Sequence, residues 1–119
     1  MLIAARYFQR WRTFGRRPTQ ALIDMYNEEN LQQVVKFEDF REVMELIARC
    51  YSVPVEKLRT TDTFKTDLGD ADSFSLDYGN ECTARRLTKR FPHVNLKGPS
   101  TIRDLLVAIG RKAREERVD

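Results

Sequence analysis

Between Phe37 and Tyr51 the apolar positions Phe37, Phe40, Met44, Ile47 and Tyr51 recur at steps of three and four, with Val43 beside them. That spacing lays one apolar stripe along about four turns of helix. Glu38, Asp39 and Glu42 stand near its start, where the helix dipole favours negative charge. Pro54 keeps Val53 out of the helical region, so the helix should stop near Tyr51 or Ser52. Upstream, a helix is predicted from about Thr19 to Val35, although Leu22, Ile23, Met25, Tyr26 and Leu31 do not fall on one clean stripe. Gly15 and Pro18 punctuate the chain before it.

Downstream of Pro54, isolated apolar anchors at Val55, Leu58, Phe64 and Leu68 lie in a long connection. Connections of more than about 15 residues are uncommon unless they are functional or contain short helical turns. The stretch ending at Phe91 reads as a second helix, with Leu76, Ala84, Leu87 and Phe91 sharing a face and Arg85, Arg86, Lys89 and Arg90 supplying solvated charge. Gly79 weakens it by about 1 kcal/mol against alanine, and Asn80 is an alternative start. After Pro92, Ser100 is the expected N-cap of a last helix carrying Ile102, Leu105, Leu106 and Ile109 on one stripe. The fold class that follows is all-α, an antiparallel helical bundle. Its predicted core is Phe40, Met44, Ile47, Phe64, Leu68, Leu87, Phe91, Ile102, Leu105 and Ile109.

A chain of 119 residues holds one small core and an extension. We divide it into a basic N-terminal helical extension (1–36), a bundle (37–113) and a charged C-terminal tail (114–119). The formal net charge of +3 is unevenly spread. Residues 1–35 carry five basic and three acidic groups, 36–76 six and nine, and 77–119 ten and six. A mildly acidic middle therefore lies between basic ends. No apolar run approaches the roughly 18 residues of a membrane span, and the start of the chain lacks the apolar middle region of a secretory signal. The first twenty residues hold five arginines and no acid, a composition shared by transit peptides and basic surface helices. The reading we adopt is a helix that packs Tyr7, Phe8, Trp11 and Phe14 onto the domain. The two cysteines, Cys50 and Cys82, have neither metal-ligand spacing nor a disulfide-rich context, so reduced thiols and a cytoplasmic location are expected.

The candidate chemistry sits between Phe64 and Phe91. Five acids and one lysine lie between Asp62 and Asp77, and Ser73 and Ser75 follow directly on Asp70-Ala71-Asp72. An exposed serine, expected here at an acidic loop-to-helix junction, is a place where a group can be attached. Read together, the helix from Phe37, the Val53-Pro54-Val55 loop, Asp67-Leu68-Gly69, Asp72-Ser73-Phe74, the helix ending in Phe91 and the short last helix resemble an acyl carrier protein domain over residues 37–113. The Asp-Leu-Gly, Asp-Ser-Leu signature of that family is matched by Asp67, Leu68, Gly69, Asp72, Ser73 and Phe74. Leu58, Phe64 and Ile102 fall where the family keeps core anchors.

The resemblance implies a non-catalytic carrier of acyl thioesters in fatty-acid, lipid or secondary-metabolite synthesis, expected to be a monomer. A 4′-phosphopantetheine arm from coenzyme A would be attached to Ser73 by a phosphopantetheinyl transferase, with Asp72 and Phe74 beside it. Acyl-loading and acyl-transfer enzymes would be its partners, read by Asp67, Asp70, Asp77, Arg85, Arg86 and Arg90. Ser75-Leu76-Asp77 also fits part of the signature and makes Ser75 the alternative attachment point. One extra residue separates Gly69 from Asp72, and Ser73 stands about one helical turn further from Phe91 than the family pattern. Registered backwards from Phe91, the serine position falls near Asp77, which leaves a carrier-like helical adaptor without a prosthetic group.

Other chemistry finds less footing. Ser73 equally suits an ordinary N-cap. Asp62, Asp67, Asp70, Asp72 and Asp77 do not have the spacing of a calcium loop and read as a solvated stretch that attracts a basic partner. His93 is the single histidine and reads as a surface residue, which removes most metal and triad chemistry. Nucleic-acid binding is the rival from another class. Arg6, Arg10, Arg12, Arg16 and Arg17, interleaved with aromatics, and the cluster from Arg85 to Arg90 could follow a phosphate backbone, but no reading motif frames them and the acidic middle repels a polyanion.

Overall fold

In the computed structural model, residues 14–15, 17–64, 78–94 and 99–116 are described. They form four α-helices: α1 Leu22–Glu28, α2 Phe37–Tyr51, α3 Tyr78–Arg90 and α4 Ile102–Glu116, with short 3₁₀ turns at Leu31–Gln33 and Val55–Lys57. Among the described residues the sole strand-like pairing is an isolated bridge between Thr63 and Thr101. The all-α expectation holds.

α2 forms where the stripe predicted it and buries Phe40, Val43, Met44, Ile47, Ala48 and Tyr51. It ends in a left-handed Ser52, at φ 58° and ψ 45°. The Val53 amide donates to the Ala48 carbonyl at 3.0 Å and the Ser52 amide to Arg49 at 3.3 Å, the paired bonds of a Schellman stop. Val53 then folds back into the core, and Pro54 prevents any continuation.

The helix predicted over 19–35 is broken in two. Asn30 adopts the left-handed conformation (φ 54°, ψ 40°) between α1 and the first 3₁₀ turn. Asparagine enters that region more readily than most side chains. The break is what lets apolar positions that share no helical stripe reach one core: Met25 and Tyr26 from α1, Leu31 from the turn and Val35 beyond it are all buried. Tyr26 packs edge-on to Phe37, ring centres 5.2 Å apart, and its hydroxyl donates to the Val35 carbonyl at 2.7 Å. Burial, followed by the nearby Glu38 carboxylate, raises its pKa.

α4 is capped one residue later than predicted. Thr101 is its N-cap, with Oγ1 accepting from the Asp104 amide at 3.1 Å, while the Asp104 carboxylate accepts from the Ser100 hydroxyl and amide and from the Thr101 amide. This is a reciprocal capping arrangement. The next amides of the first turn are also satisfied, Ile102 donating to the Asp62 carbonyl (3.1 Å) and Arg103 to the Thr60 carbonyl (2.7 Å). The long connection after α2 is thereby stitched to the start of α4. Of the predicted core, Phe40, Met44, Ile47, Leu87, Ile102, Leu105 and Ile109 are buried, and Phe64 and Phe91 pack partly buried against them. Leu68 lies outside the described residues. No helix among the described residues is long and apolar enough to cross a membrane.

Candidate functional site at the α2–α3 pair

Two contacts fix how α3 lies on α2. Near its beginning, Cys82 is joined by a disulfide to Cys50 in the last turn of α2, with Cα atoms 5.6 Å apart. At its end, Arg90 reaches the first half of α2, its Nε donating to Glu42 at 2.9 and 3.0 Å and an amino group standing 3.5 Å from Asp39. The start of one helix meets the end of the other, so the pair is antiparallel. Leu87 is buried between these clamps.

The disulfide corrects the expectation of reduced thiols. Sequence separation hid it, because the two cysteines are 32 residues apart. The periodicity did hold a clue: Cys50 follows Ile47 by three along the buried stripe of α2, so a cysteine there points inward. Ala84, predicted to share the apolar face of α3, is instead exposed. Among the described side chains of α3, the inward residues are Cys82, Thr83 and Leu87. Thr83 is buried with its hydroxyl lacking a hydrogen-bond partner, and a polar residue at that register masks the stripe.

Asp62, read from the sequence as a solvated acid, is 2% exposed. Arg17 grips its carboxylate with two nitrogens at 2.8 and 2.7 Å, and the Arg59 amide donates to it at 2.7 Å. It is a structural anion and not a partner-attracting one. Of the basic residues assigned to partner recognition, Arg85 and Arg86 lie exposed on α3 as expected. Arg90 is committed to Glu42 and Asp39 and stacks on Phe91, 4.7 Å from the ring centre. His93 is exposed, in keeping with a surface role. Asp67, Asp70, Asp72, Ser73, Phe74, Ser75 and Asp77 all lie outside the described residues.

A groove of about 730 Å³ runs between the two helices. Half-buried Leu46 and the buried Cys82 give it apolar surface. α3 contributes Arg85, Arg86 and Lys89 to its edge, and α2 contributes Glu42, Glu45 and Arg49. Sequence reasoning found the α3 cations but not the α2 side, because Glu45 and Arg49 lie off the apolar stripe of α2 and belong to no motif. Among the described residues no group of three or more potential metal ligands converges. No protein-family model, curated protein or solved structure matches the chain.

Proposed function

We propose that this chain is a carrier domain of the acyl carrier type, in which Ser73 bears a 4′-phosphopantetheine arm and the protein presents thioester-bound acyl groups to partner enzymes. The observation that supports this most is the antiparallel α2–α3 pair, entered through the acidic segment that carries the Asp72-Ser73-Phe74 match. Ser73 precedes Tyr78, the first described residue of α3, by five positions. Free amides and the dipole at a helix start favour an anion, the chemistry that a phosphodiester on a nearby serine requires. The chain's own part is to hold and expose that hydroxyl, and the bound arm would supply the thiol on which an acyl group rides. No catalytic role falls to Ser73, since a separate transferase activates it.

The test is the intact mass of the full chain before and after incubation with coenzyme A and a broad-specificity phosphopantetheinyl transferase. One phosphopantetheine is expected on the wild type and on Ser75→Ala, and none on Ser73→Ala. The reverse mutant pattern moves the site to Ser75. The groove between α2 and α3 favours a second reading, an adaptor without a prosthetic group, and a folded wild type that gains no mass would leave that reading in place.

A further inference from the structure

We infer that the groove between α2 and α3 is a docking site for an amphipathic helical segment of a partner protein, one with an apolar stripe and an acidic flank. The inference does not depend on Ser73. Some of the charges in the groove are already matched. Glu42 accepts two bonds from Arg90, and Glu45 stands 4.0 Å from Arg41 one turn back along α2. By contrast Arg49, Arg86 and Lys89 are exposed and, among the described residues, make no ion pair or hydrogen bond. The outstanding charge of the groove is therefore positive, concentrated on the α3 edge and on the last turns of α2.

The volume, about 730 Å³, is of the size that holds a row of side chains, not a single ion. The apolar surface between the charged edges, from Leu46 and Cys82, suits an apolar stripe and gives a bare anion nothing to bind. The two edges also differ. The α3 edge is uniformly basic, while the α2 edge keeps Glu42 and Glu45 beside Arg49. A continuous polyanion lying in the groove would meet those two carboxylates, whereas a helix can turn its acids towards α3 and a neutral or basic flank towards α2. This asymmetry favours a peptide over nucleic acid. The disulfide and the Arg90 bridge hold both walls at fixed separation, so the groove is preformed and a binding segment loses little to reorganisation.

The experiment uses the full oxidised chain, labelled with ¹⁵N, and a fluorescent peptide of about 18 residues, or five helical turns. The peptide carries leucines at helical i, i+3, i+4, i+7 spacing and glutamates along one flank. A control replaces the glutamates with lysines, and a single-stranded DNA of similar charge is the third probe. Binding of the acidic peptide is expected, with amide shift changes confined to 42–49 and 82–90 and an affinity that falls as salt is raised. Arg86→Glu combined with Lys89→Glu should weaken it by about tenfold or more, and the helical circular dichroism spectrum should be unchanged because both side chains are exposed and pair with no described residue. Ser73→Ala should bind as the wild type does, so failure of the attachment reading leaves this result intact. Equal binding of the lysine control, indifference to the double charge reversal, or shift changes elsewhere would overturn the proposal. Tighter binding of the DNA, lost on the same reversal, would overturn it in favour of a nucleic-acid surface.

Discussion

At Gly110 a single missing methyl group sets the position of a helix. α4 crosses the turn after Leu31–Gln33 so closely that a Cβ on Gly110 would overlap the Val34 carbonyl. In an exposed helix interior, glycine to alanine stabilises by about 1 kcal/mol. Here the obstacle is backbone, which cannot rotate aside as a side chain would, and overpacking of this kind costs about 1–3 kcal/mol. Gly110→Ala should therefore lower the urea midpoint, and a raised midpoint would show that the close approach is absent. A second residue-scale consequence concerns Asp104. Hydrogen bonds from the Ser100 side chain, the Ser100 amide and the Thr101 amide, in that order, outweigh desolvation and hold its carboxyl below the ordinary value of 3.8. A depressed folded pKa means that the cap's electrostatic contribution is complete above the unfolded value and disappears as pH falls through the folded one. Acid titration of stability should thus be shallower below pH ~4 in Asp104→Asn than in the wild type, and identical slopes would contradict the cap.

Among the elements, α2 and α4 were legible in the sequence because each carries its buried residues on one unbroken stripe and is bounded by a strong signal, Val53-Pro54 at the end of α2 and Ser100-Thr101 at the start of α4. α1 was not, since a helix of 7 residues broken by a left-handed asparagine has no periodicity to show. α3 was legible at its end and at buried Leu87 but not in the rest of its facing, because the other buried positions described on it are a cysteine and a threonine and its exposed ones include an alanine. The charged side of the candidate groove could be read from the run Arg85 to Arg90. That Arg90 would be withdrawn into α2 could not, since its partners Asp39 and Glu42 are 51 and 48 residues away in sequence. The disulfide between α2 and α3 closes a loop with a sequence separation of 32. Loss of chain entropy in the unfolded state on that scale corresponds to about 3–4 kcal/mol. Reduction, or the paired change Cys50→Ala and Cys82→Ala, should lower the urea midpoint accordingly. Alkylation without prior reduction should leave the mass unchanged. A reactive thiol in the native protein, or a midpoint indifferent to reductant, would refute the cross-link.

On the scale of the whole molecule, the buried residues from Phe14 to Val35 and those from Phe40 to Ile109 belong to one apolar cluster, and Asp62 is where their polar connections cross. The segment before α1 is held to the connection after α2 by the Gln20 amide on the Glu56 carbonyl (2.8 Å), Lys57 Nζ on the Gly15 carbonyl (3.0 Å) and an Arg59 amino group on the Pro18 carbonyl (2.6 Å). Arg17 closes this seam on the Asp62 carboxylate, and the Asp62 carbonyl receives the Ile102 amide of α4. One residue thus joins the segment before α1, the long connection and the start of α4. Asp62→Ala would take the carboxylate away from the Arg17 guanidinium, which keeps only neutral acceptors such as the Lys57 carbonyl at 3.1 Å, and would remove the acceptor of the Arg59 amide. Breaking a buried pair from one side costs about 3–5 kcal/mol, and because the Arg17 side chain keeps 23% of its exposure the lower end applies. Arg17→Lys retains the charge but not the two-pronged contact, so its loss should be intermediate. If Asp62 is the junction, the damage will spread in both directions: trypsin should cut sooner after Lys57 and Arg59, whose side chains hold the Gly15 and Pro18 carbonyls, and the amides of Ile102 and Arg103 should exchange faster although neither touches the altered side chain. Faster cleavage with unchanged exchange at Ile102 and Arg103 would confine Asp62 to anchoring the first segment, and an unchanged urea midpoint would remove it from the core of the fold altogether.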